Sequence, residues 1–167
     1  MILLIIIGVL LLAALGIVIS QRLRPNTARS WLIGLAVSLL AWGAIFYLRL
    51  YLPTETALVN WTPAELFQTD LSLQLNYNSW PYAFALLTVA AAVLLTDSTR
   101  SFRPNSPYNW AGALAVTGLD LVAIMAGDPL TMVFAWVLVD LAKFLYLLVF
   151  LPSSRDENLV GFVGMRI

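Results

Sequence analysis

The chain begins with a nearly unbroken apolar run, ILLIIIGVLLLAALGIVIS, which extends from Ile2 to Ser20. A helix needs about 20 apolar residues to cross a hydrocarbon core of roughly 30 Å, so this run alone is long enough for one crossing. It lacks the basic stretch that precedes the apolar core of a signal peptide, and no convincing cleavage site leads into a soluble domain. We therefore expect a retained membrane helix rather than a cleaved leader.

Composition places the rest of the chain in the same class. Apolar residues make up 61% of the 167 residues and charged residues only 11%, with a mean hydropathy of +0.89, whereas soluble domains carry about 25% charged residues. The absence of cysteine and histidine excludes disulfides, thiolate nucleophiles, imidazole bases and the usual zinc sites. Nine basic residues balance nine acidic ones, without the basic patch that nucleic-acid binding requires. We expect a protein of the lipid bilayer with no cofactor.

Four further apolar stretches predict an all-α, polytopic membrane protein with five transmembrane helices. Asp128-Pro129 separates the last two stretches and predicts a tight turn, so that these helices form an antiparallel hairpin. After residue 151 we expect a short cytoplasmic tail, 152–167, whose apolar end predicts a truncated or split form of a longer protein. The predicted spans are 2–20, 31–48, 80–96, 109–127 and 130–151, with an outer loop at 49–79.

The arginines predict the orientation of these spans, because basic residues near span ends stay on the cytoplasmic side. Three segments carry them: the first connection has Arg22, Arg24 and Arg29, the third has Arg100 and Arg103, and the tail has Arg155 and Arg166. The outer loop instead carries Glu55, Glu65 and Asp70, with Arg49 as its only, flanking, basic residue. This distribution predicts an outside N-terminus and a cytoplasmic C-terminus in a bacterial inner membrane.

Two patterns refine this picture. Residues 71–78, LSLQLNYN, alternate apolar and polar side chains and predict a short strand or extended segment. Small residues on the second helix (Gly34, Ser38, Ala41, Gly43, Ala44) and on the fourth (Ala111, Ala115, Gly118) predict close helix packing rather than a ligand groove.

Three ionisable residues lie inside the predicted spans, namely Asp120, Asp140 and Lys143. Each costs about 2.5–3.5 kcal/mol at a helix centre on insertion scales, so we expect them to be buried together. The antiparallel hairpin brings Asp120 and Asp140 to nearly the same depth, and Asp140 and Lys143 are three residues apart on one helical face. Two interpretations remain open: a station for a proton or cation, or a static ion pair that locks the two helices together.

The order of motifs resembles a known family. Trp61-x-Pro63, followed by LSLQLNYNSWPYAFALLT at 71–88, is similar to the stretch leading into the third helix of antiporter-like subunits of respiratory complex I and of multisubunit cation/proton antiporters. AGDPLTMVFAW at 126–136 is similar to that family's hairpin between helices four and five. Asn78 stands where the family usually carries an aspartate, and the position of its helix-five glutamate falls at about Val137. The resemblance covers roughly residues 60–151.

The resemblance implies a membrane subunit of a proton- or cation-translocating complex, partial or degenerate, that works beside other membrane subunits. It implies no catalytic site in this chain itself, although the assembled complex would be of the NADH-quinone oxidoreductase type. Either Asp140 with Lys143 would then be a relocated version of the family's acid–lysine pair, or the function has been lost. The alternative is a structural or assembly subunit without transport. A third candidate, an enzyme acting on lipid or isoprenoid, would need a metal or nucleophile cluster, and the sequence contains no recognisable one.

We predict that a topology reporter fused after Ile167 is active only on the cytoplasmic side, because the arginine-rich connections are held there. The measurement is the activity of paired reporters that function on opposite sides of the membrane. Activity of the fusion outside the membrane would contradict the predicted orientation.

Overall fold

The computed structural model describes residues 1–57, 71–97 and 106–150, and within these ranges the chain is mostly helical. Five long helices are present in the described part. They are α1 (Ile2–Leu23), α2 (Thr27–Leu48), α3 (Trp80–Asp97), α4 (Ser106–Ile124) and α5 (Pro129–Phe150). A short 3-10 turn, Arg49–Tyr51, follows α2, and two strands, β1 (Thr54–Ala57) and β2 (Ser72–Leu75), lie between α2 and α3.

The connection between α1 and α2 is shorter than the sequence predicts. Helix α1 continues through Gln21 and Arg22 to Leu23, because glutamine and arginine are good helix formers. Helix α2 begins early because the Asn26 side chain accepts a hydrogen bond from the backbone N–H of Arg29 at 3.1 Å and caps the helix. Only residues 24–26 connect the two helices.

Three of the helical segments are long and apolar enough to cross a membrane: Ile2–Leu23, Thr27–Tyr51 and Trp80–Asp97. They correspond to the first three predicted spans. Helices α4 and α5 carry the internal charges. Over their described residues they do not reach the same combination of length and hydropathy.

Helix α4 lies at the centre of the bundle and contacts each of the other four helices. Leu114 on α4 is fully buried and points at Gly34 on α2, where an added Cβ would lie 3.6 Å from both Leu114 Cδ1 and Ile17 Cδ1 and 3.9 Å from Leu94 Cδ2. At Gly118 an added Cβ would lie 3.4 Å from Leu10 Cβ of α1. The small residues thus allow close packing, as the sequence predicts.

The two strands form an antiparallel hairpin in which Thr54 pairs with Leu75 and Ala57 with Ser72. Strand β2 falls inside the predicted extended segment 71–78, and this prediction is confirmed. The sheet is a small β element in a mostly helical chain. The alternating pattern stabilises β2, because Leu73 and Leu75 bury their side chains while their neighbours stay partly exposed.

The turn between α4 and α5 pairs with the free edge of β2. The backbone N–H of Gln74 donates to the carbonyl of Met125 at 2.6 Å, and that of Gly127 donates to the carbonyl of Ser72 at 2.9 Å. Helix α4 therefore ends at Ile124, three residues before the predicted end of the span. The close approach of the turn to β2 also explains why residue 127 is a glycine, because a Cβ there would collide with the Ser72 hydroxyl.

Asp128 joins this turn to the hairpin through both carboxylate oxygens. Oδ1 accepts from the backbone N–H of Thr131 at 2.8 Å and caps α5, while Oδ2 accepts from the Thr131 hydroxyl at 2.6 Å and from the backbone N–H of Ser72 at 3.0 Å. Burial by itself would raise the pKa of Asp128, but the hydrogen bonds from Thr131 and Ser72 outweigh it and hold the pKa below its ordinary value. We call residues 72–74 with 125–131 the hairpin clamp.

Indole groups connect the helices at both ends of the bundle. Trp31 donates to the carbonyl of Leu94 at 2.8 Å and Trp110 donates to Asp97 Oδ2 at 2.5 Å, whereas Trp80 donates to the carbonyl of Ile45 at 2.8 Å. Arg49 lies over the Trp80 ring with its guanidinium carbon 4.8 Å from the centroid. These three tryptophans thus bind neighbouring helices.

Several predicted features lie outside the described residues. They are Trp61-x-Pro63, Glu65, Asp70, Arg100, Arg103, and the tail 152–167 with Arg155 and Arg166.

We predict that Gly34→Val destabilises the bundle, because the two added methyl groups would overlap Leu114 and Ile17, and such overpacking costs about 1–3 kcal/mol. Gly43→Val in the same helix is the matched control, because an added Cβ there meets nothing within 4 Å. The measurement is thermal unfolding in detergent micelles. Equal destabilisation by both changes would contradict the packing described at Gly34.

We predict that Asp128→Ala lowers the free energy of unfolding by about 1–2 kcal/mol, because it removes the cap of α5 and the bonds to Ser72. Asp128→Asn keeps a capping oxygen but removes the charge. A carboxylate whose pKa is lower in the folded than in the unfolded protein stabilises the fold above its ordinary pKa, here 3.8, and loses that contribution as the pH falls through the folded-state value.

The stability gap between wild type and Asp128→Asn should therefore narrow as the pH is lowered from neutral through 3.8 and close as it falls through the lower folded-state pKa. Thermal unfolding over this range measures the gap. A gap that stays constant would show that the carboxylate is not stabilised by these bonds.

Candidate functional site

Helix α5 packs mainly on α4, and it does so through a narrow row of small and medium side chains. Thr131, Ala135 and Val139 are each 5% exposed or less, at spacings of four residues. Successive residues on a helix are rotated by about 100°, so positions next to this row turn quickly away from α4. Most of the described remainder of α5 is exposed on the surface of the chain.

The three predicted site residues line one groove between α4 and α5. The groove has a volume of about 270 Å³, and its lining comprises Asp120, Ala123, Trp136, Val139, Asp140 and Lys143. The ammonium group of Lys143 is close enough to interact electrostatically with the carboxyl group of Asp120. The antiparallel hairpin therefore brings residues from two helices together, as its predicted geometry requires.

Burial of the three residues differs from the prediction. Asp120 is half-buried, but Asp140 and Lys143 are exposed, so the described part of the chain contains no buried Asp–Lys–Asp cluster. The reason is rotation about α5: Asp140 directly follows Val139, which packs on α4, and Lys143 follows Ala142, which is only partly buried. The prediction that the residues meet inside the protein is therefore wrong in this respect.

The groove combines two carboxyl groups with one amine. A carboxyl group can take up and release a proton, and a neighbouring ammonium favours its charged form. The groove also has one wall formed by Trp136, which is 58% exposed. Chemically, such a site can exchange a proton or bind a monovalent cation. Within the described ranges, no group of three or more acidic side chains is placed to hold a metal ion.

A second groove, almost entirely apolar, lies on another side of the same helices. It has a volume of about 480 Å³ and is formed by α1, α4 and α5. Small side chains form part of its surface, among them Ala14, Ala111, Gly112 and Ala115. Polar atoms contribute almost nothing to it, so this groove suits hydrocarbon and offers no chemistry.

The sequence did not point to the hairpin clamp. It identifies Asp128-Pro129 only as a turn, whereas in the structure the Asp128 carboxylate accepts hydrogen bonds from the backbone N–H groups of both Ser72 and Thr131. A local signal was present, because an aspartate three residues before a threonine at the start of an apolar helix is typical of an N-cap. The partner Ser72 is 56 residues away, and no local pattern could reveal that contact.

The network of aromatic residues between α2 and α3 was also not predicted. Phe84 stacks on Trp80 with ring centroids 5.2 Å apart and contacts Trp42 at 5.3 Å. Trp42 in turn donates to the Thr88 hydroxyl at 2.9 Å. These contacts account for the aromatic residues as packing between helices.

No family model matches the chain, and no curated protein matches its sequence.

Proposed function

We propose that this chain is a membrane subunit of a proton- or cation-translocating complex of the complex I and antiporter type, with Asp120, Asp140 and Lys143 as its ion station. In this proposal all five helices cross a bacterial inner membrane, with the N-terminus outside. The hairpin clamp then lies on the outer side. The chain has no redox chemistry of its own and works with other membrane subunits.

The observation that carries the proposal is the charged groove on the surface of α5. Asp140 lies eleven residues after Pro129, about 16 Å along the helix axis and therefore near the middle of a membrane span. Exposed charges at that depth are costly in lipid and are usual where they face water, an ion path or another protein. A groove of 270 Å³ beside them leaves room for such a path.

The sequence motifs support the same class of protein. The segment 126–136, AGDPLTMVFAW, contains most of the turn between α4 and α5 and the beginning of α5. The charged groove begins at Trp136, the last residue of this motif. The motif that resembles the family and the charged groove therefore share residues of the same helix, α5.

A structural or assembly role is the second candidate, and one observation favours it. The interaction of Lys143 with Asp120 crosses from α5 to α4, where it would hold together two helices that otherwise share only a narrow apolar row. Under this alternative the charges stabilise the subunit and move no ion.

We predict that Asp140→Asn and Asp120→Asn leave the amount of assembled complex unchanged but abolish proton pumping, because the amides keep the shape of the carboxyl groups and cannot exchange a proton. The measurements are complex abundance in the membrane and acidification of inverted vesicles by a pH-sensitive dye. Glu55→Gln is the matched control, because Glu55 is an exposed acid on β1, away from the groove.

The outcomes separate the two candidates. Normal abundance with normal pumping would eliminate the ion station. Loss of abundance and pumping together would favour the structural role, because the charges would then be needed to hold α4 and α5 together.

A further inference from the structure

The apolar groove formed by α1, α4 and α5 exists because two helices flank a third without closing over it. Helices α1 and α5 both pack on α4 but share few contacts with each other. Leu11, Leu15 and Val18 form the α1 side of the groove. Ala115 of α4 lies between that side and Leu145 of α5. Leu15 and Leu145 are 59% and 49% exposed, so the groove opens outward. We call it the α1–α5 groove.

The groove and the end of α1 together extend over one leaflet of the proposed membrane. Leu11 and Arg22 are eleven residues apart on α1, which is about 16 Å along the helix axis. One leaflet contributes about 15 Å to a hydrocarbon core of roughly 30 Å. With Arg22 at the depth of the headgroups, Leu11 therefore lies near the middle of the membrane. The arginine distribution predicts that this is the cytoplasmic leaflet.

Arg22 lies on the same face of α1 as the groove. It follows Val18 by four positions, Leu15 by seven and Leu11 by eleven, and these spacings return to one side of a helix. Because Cα–Cβ bonds in a helix tilt toward its N-terminus, the side chain of Arg22 starts out in the direction of Val18. Arg24 does not continue this face, because it follows the last helical residue and has an extended backbone.

The charge of Arg22 has no partner in the part of the chain that the structure describes. Its position is well defined, because the neighbouring side chain of Gln21 donates to the Ser30 hydroxyl of α2 at 2.7 Å. The arginine itself is exposed. Residues 1–54 contain no aspartate or glutamate, and none of the described acids forms an ion pair with Arg22. The end of the groove therefore offers an unpaired cation to an anionic ligand.

We propose that the α1–α5 groove binds an anionic phospholipid of the cytoplasmic leaflet, with one acyl chain along the groove and the phosphate at Arg22. An apolar surface at this depth is complementary to an acyl chain, and a guanidinium group matches the oxygens of a phosphate. The volume of about 480 Å³ falls within the range of about 300–1,000 Å³ that is typical of small-molecule sites.

The unpaired charge also predicts which phospholipid binds best. The headgroup of phosphatidylcholine carries its own cation beside the phosphate, whereas that of phosphatidylglycerol carries the phosphate charge alone. Arg22 therefore favours phosphatidylglycerol. The inference goes beyond the proposed function: it rests on the crossing and orientation of the helices and does not depend on ion movement.

Lipid titration tests the headgroup contact. The full-length chain in detergent micelles is titrated with phosphatidylglycerol or phosphatidylcholine, and native mass spectrometry measures the fraction that retains one lipid. We expect stronger retention of phosphatidylglycerol, and we expect Arg22→Gln to weaken it by about fivefold, because one cation near the headgroup is lost. Arg24→Gln is the matched control, because it removes the same charge two residues away and should leave retention nearly unchanged.

Ala115→Leu tests the acyl-chain site in the same titration, because the larger side chain would occupy the groove. Ala113→Leu is the matched control: Ala113 is exposed and lies about 200° around α4 from Ala115. We expect Ala115→Leu to lose the bound lipid and Ala113→Leu to keep it. Far-UV circular dichroism in the same micelles checks that both variants remain helical.

Photo-cross-linking in native membranes identifies what occupies the groove. The natural chain contains no cysteine, so Leu15→Cys in the full-length chain can carry a single benzophenone label. We expect phospholipid adducts, detected by mass spectrometry. Cross-links to a polypeptide instead, whether this chain, a second copy or a different subunit, would overturn the proposal.

Three results of the titration would also overturn it: equal retention of the two lipids, equal effects of Arg22→Gln and Arg24→Gln, or unchanged retention in Ala115→Leu. None of these readouts involves pumping. Failure of the lipid site and failure of the ion station are therefore separate outcomes.

Discussion

The close approach of four helices around Gly34 is the constraint on which the rest of the bundle depends. Leu114 of α4, Ile17 of α1 and Leu94 of α3 are all fully buried and converge on Gly34 of α2, which has no side chain. Interiors are packed as densely as organic crystals, and an added Cβ at Gly34 would already be in van der Waals contact with these groups, so a larger side chain would not fit there. Helix α4 can therefore contact every other helix, and its position fixes where the site residue Asp120 lies.

The hairpin clamp provides the second constraint, and it controls α5. Helix α5 has one narrow contact row with α4, which alone would define its rotation weakly. At its first turn, however, Asp128 binds Thr131 and Ser72 at the same time, and Gly127 pairs with the backbone of β2. These polar contacts are directional, whereas apolar packing is not. The clamp thus selects the rotation that directs Asp140 and Lys143 outward.

Sequence patterns predicted much of this arrangement, for identifiable physical reasons. Helix positions follow from apolar length, and the strand at 72–75 follows from its alternation, because both are local properties. The end of α4 was misplaced because its last residues pair with a strand some fifty positions earlier in the chain. The grouping of Asp120, Asp140 and Lys143 followed from the turn at Asp128-Pro129. Their exposure could not be predicted, since it depends on which residues of α5 face α4, and nearly every residue of that helix is apolar.

The exposure of Asp140 and Lys143 changes how the groove is understood. Had the three residues been buried within one chain, their charge states would be a property of that chain. As it stands, Asp120 is half-buried against its own helices, while Asp140 and Lys143 are exposed on the surface of α5. A protein surface that covered these two side chains would exclude water from around them and so strengthen the interactions among the charges. In the proposed complex, assembly and ion chemistry would therefore be coupled through one surface: a subunit that covered α5 would also determine whether the groove can hold and release a proton.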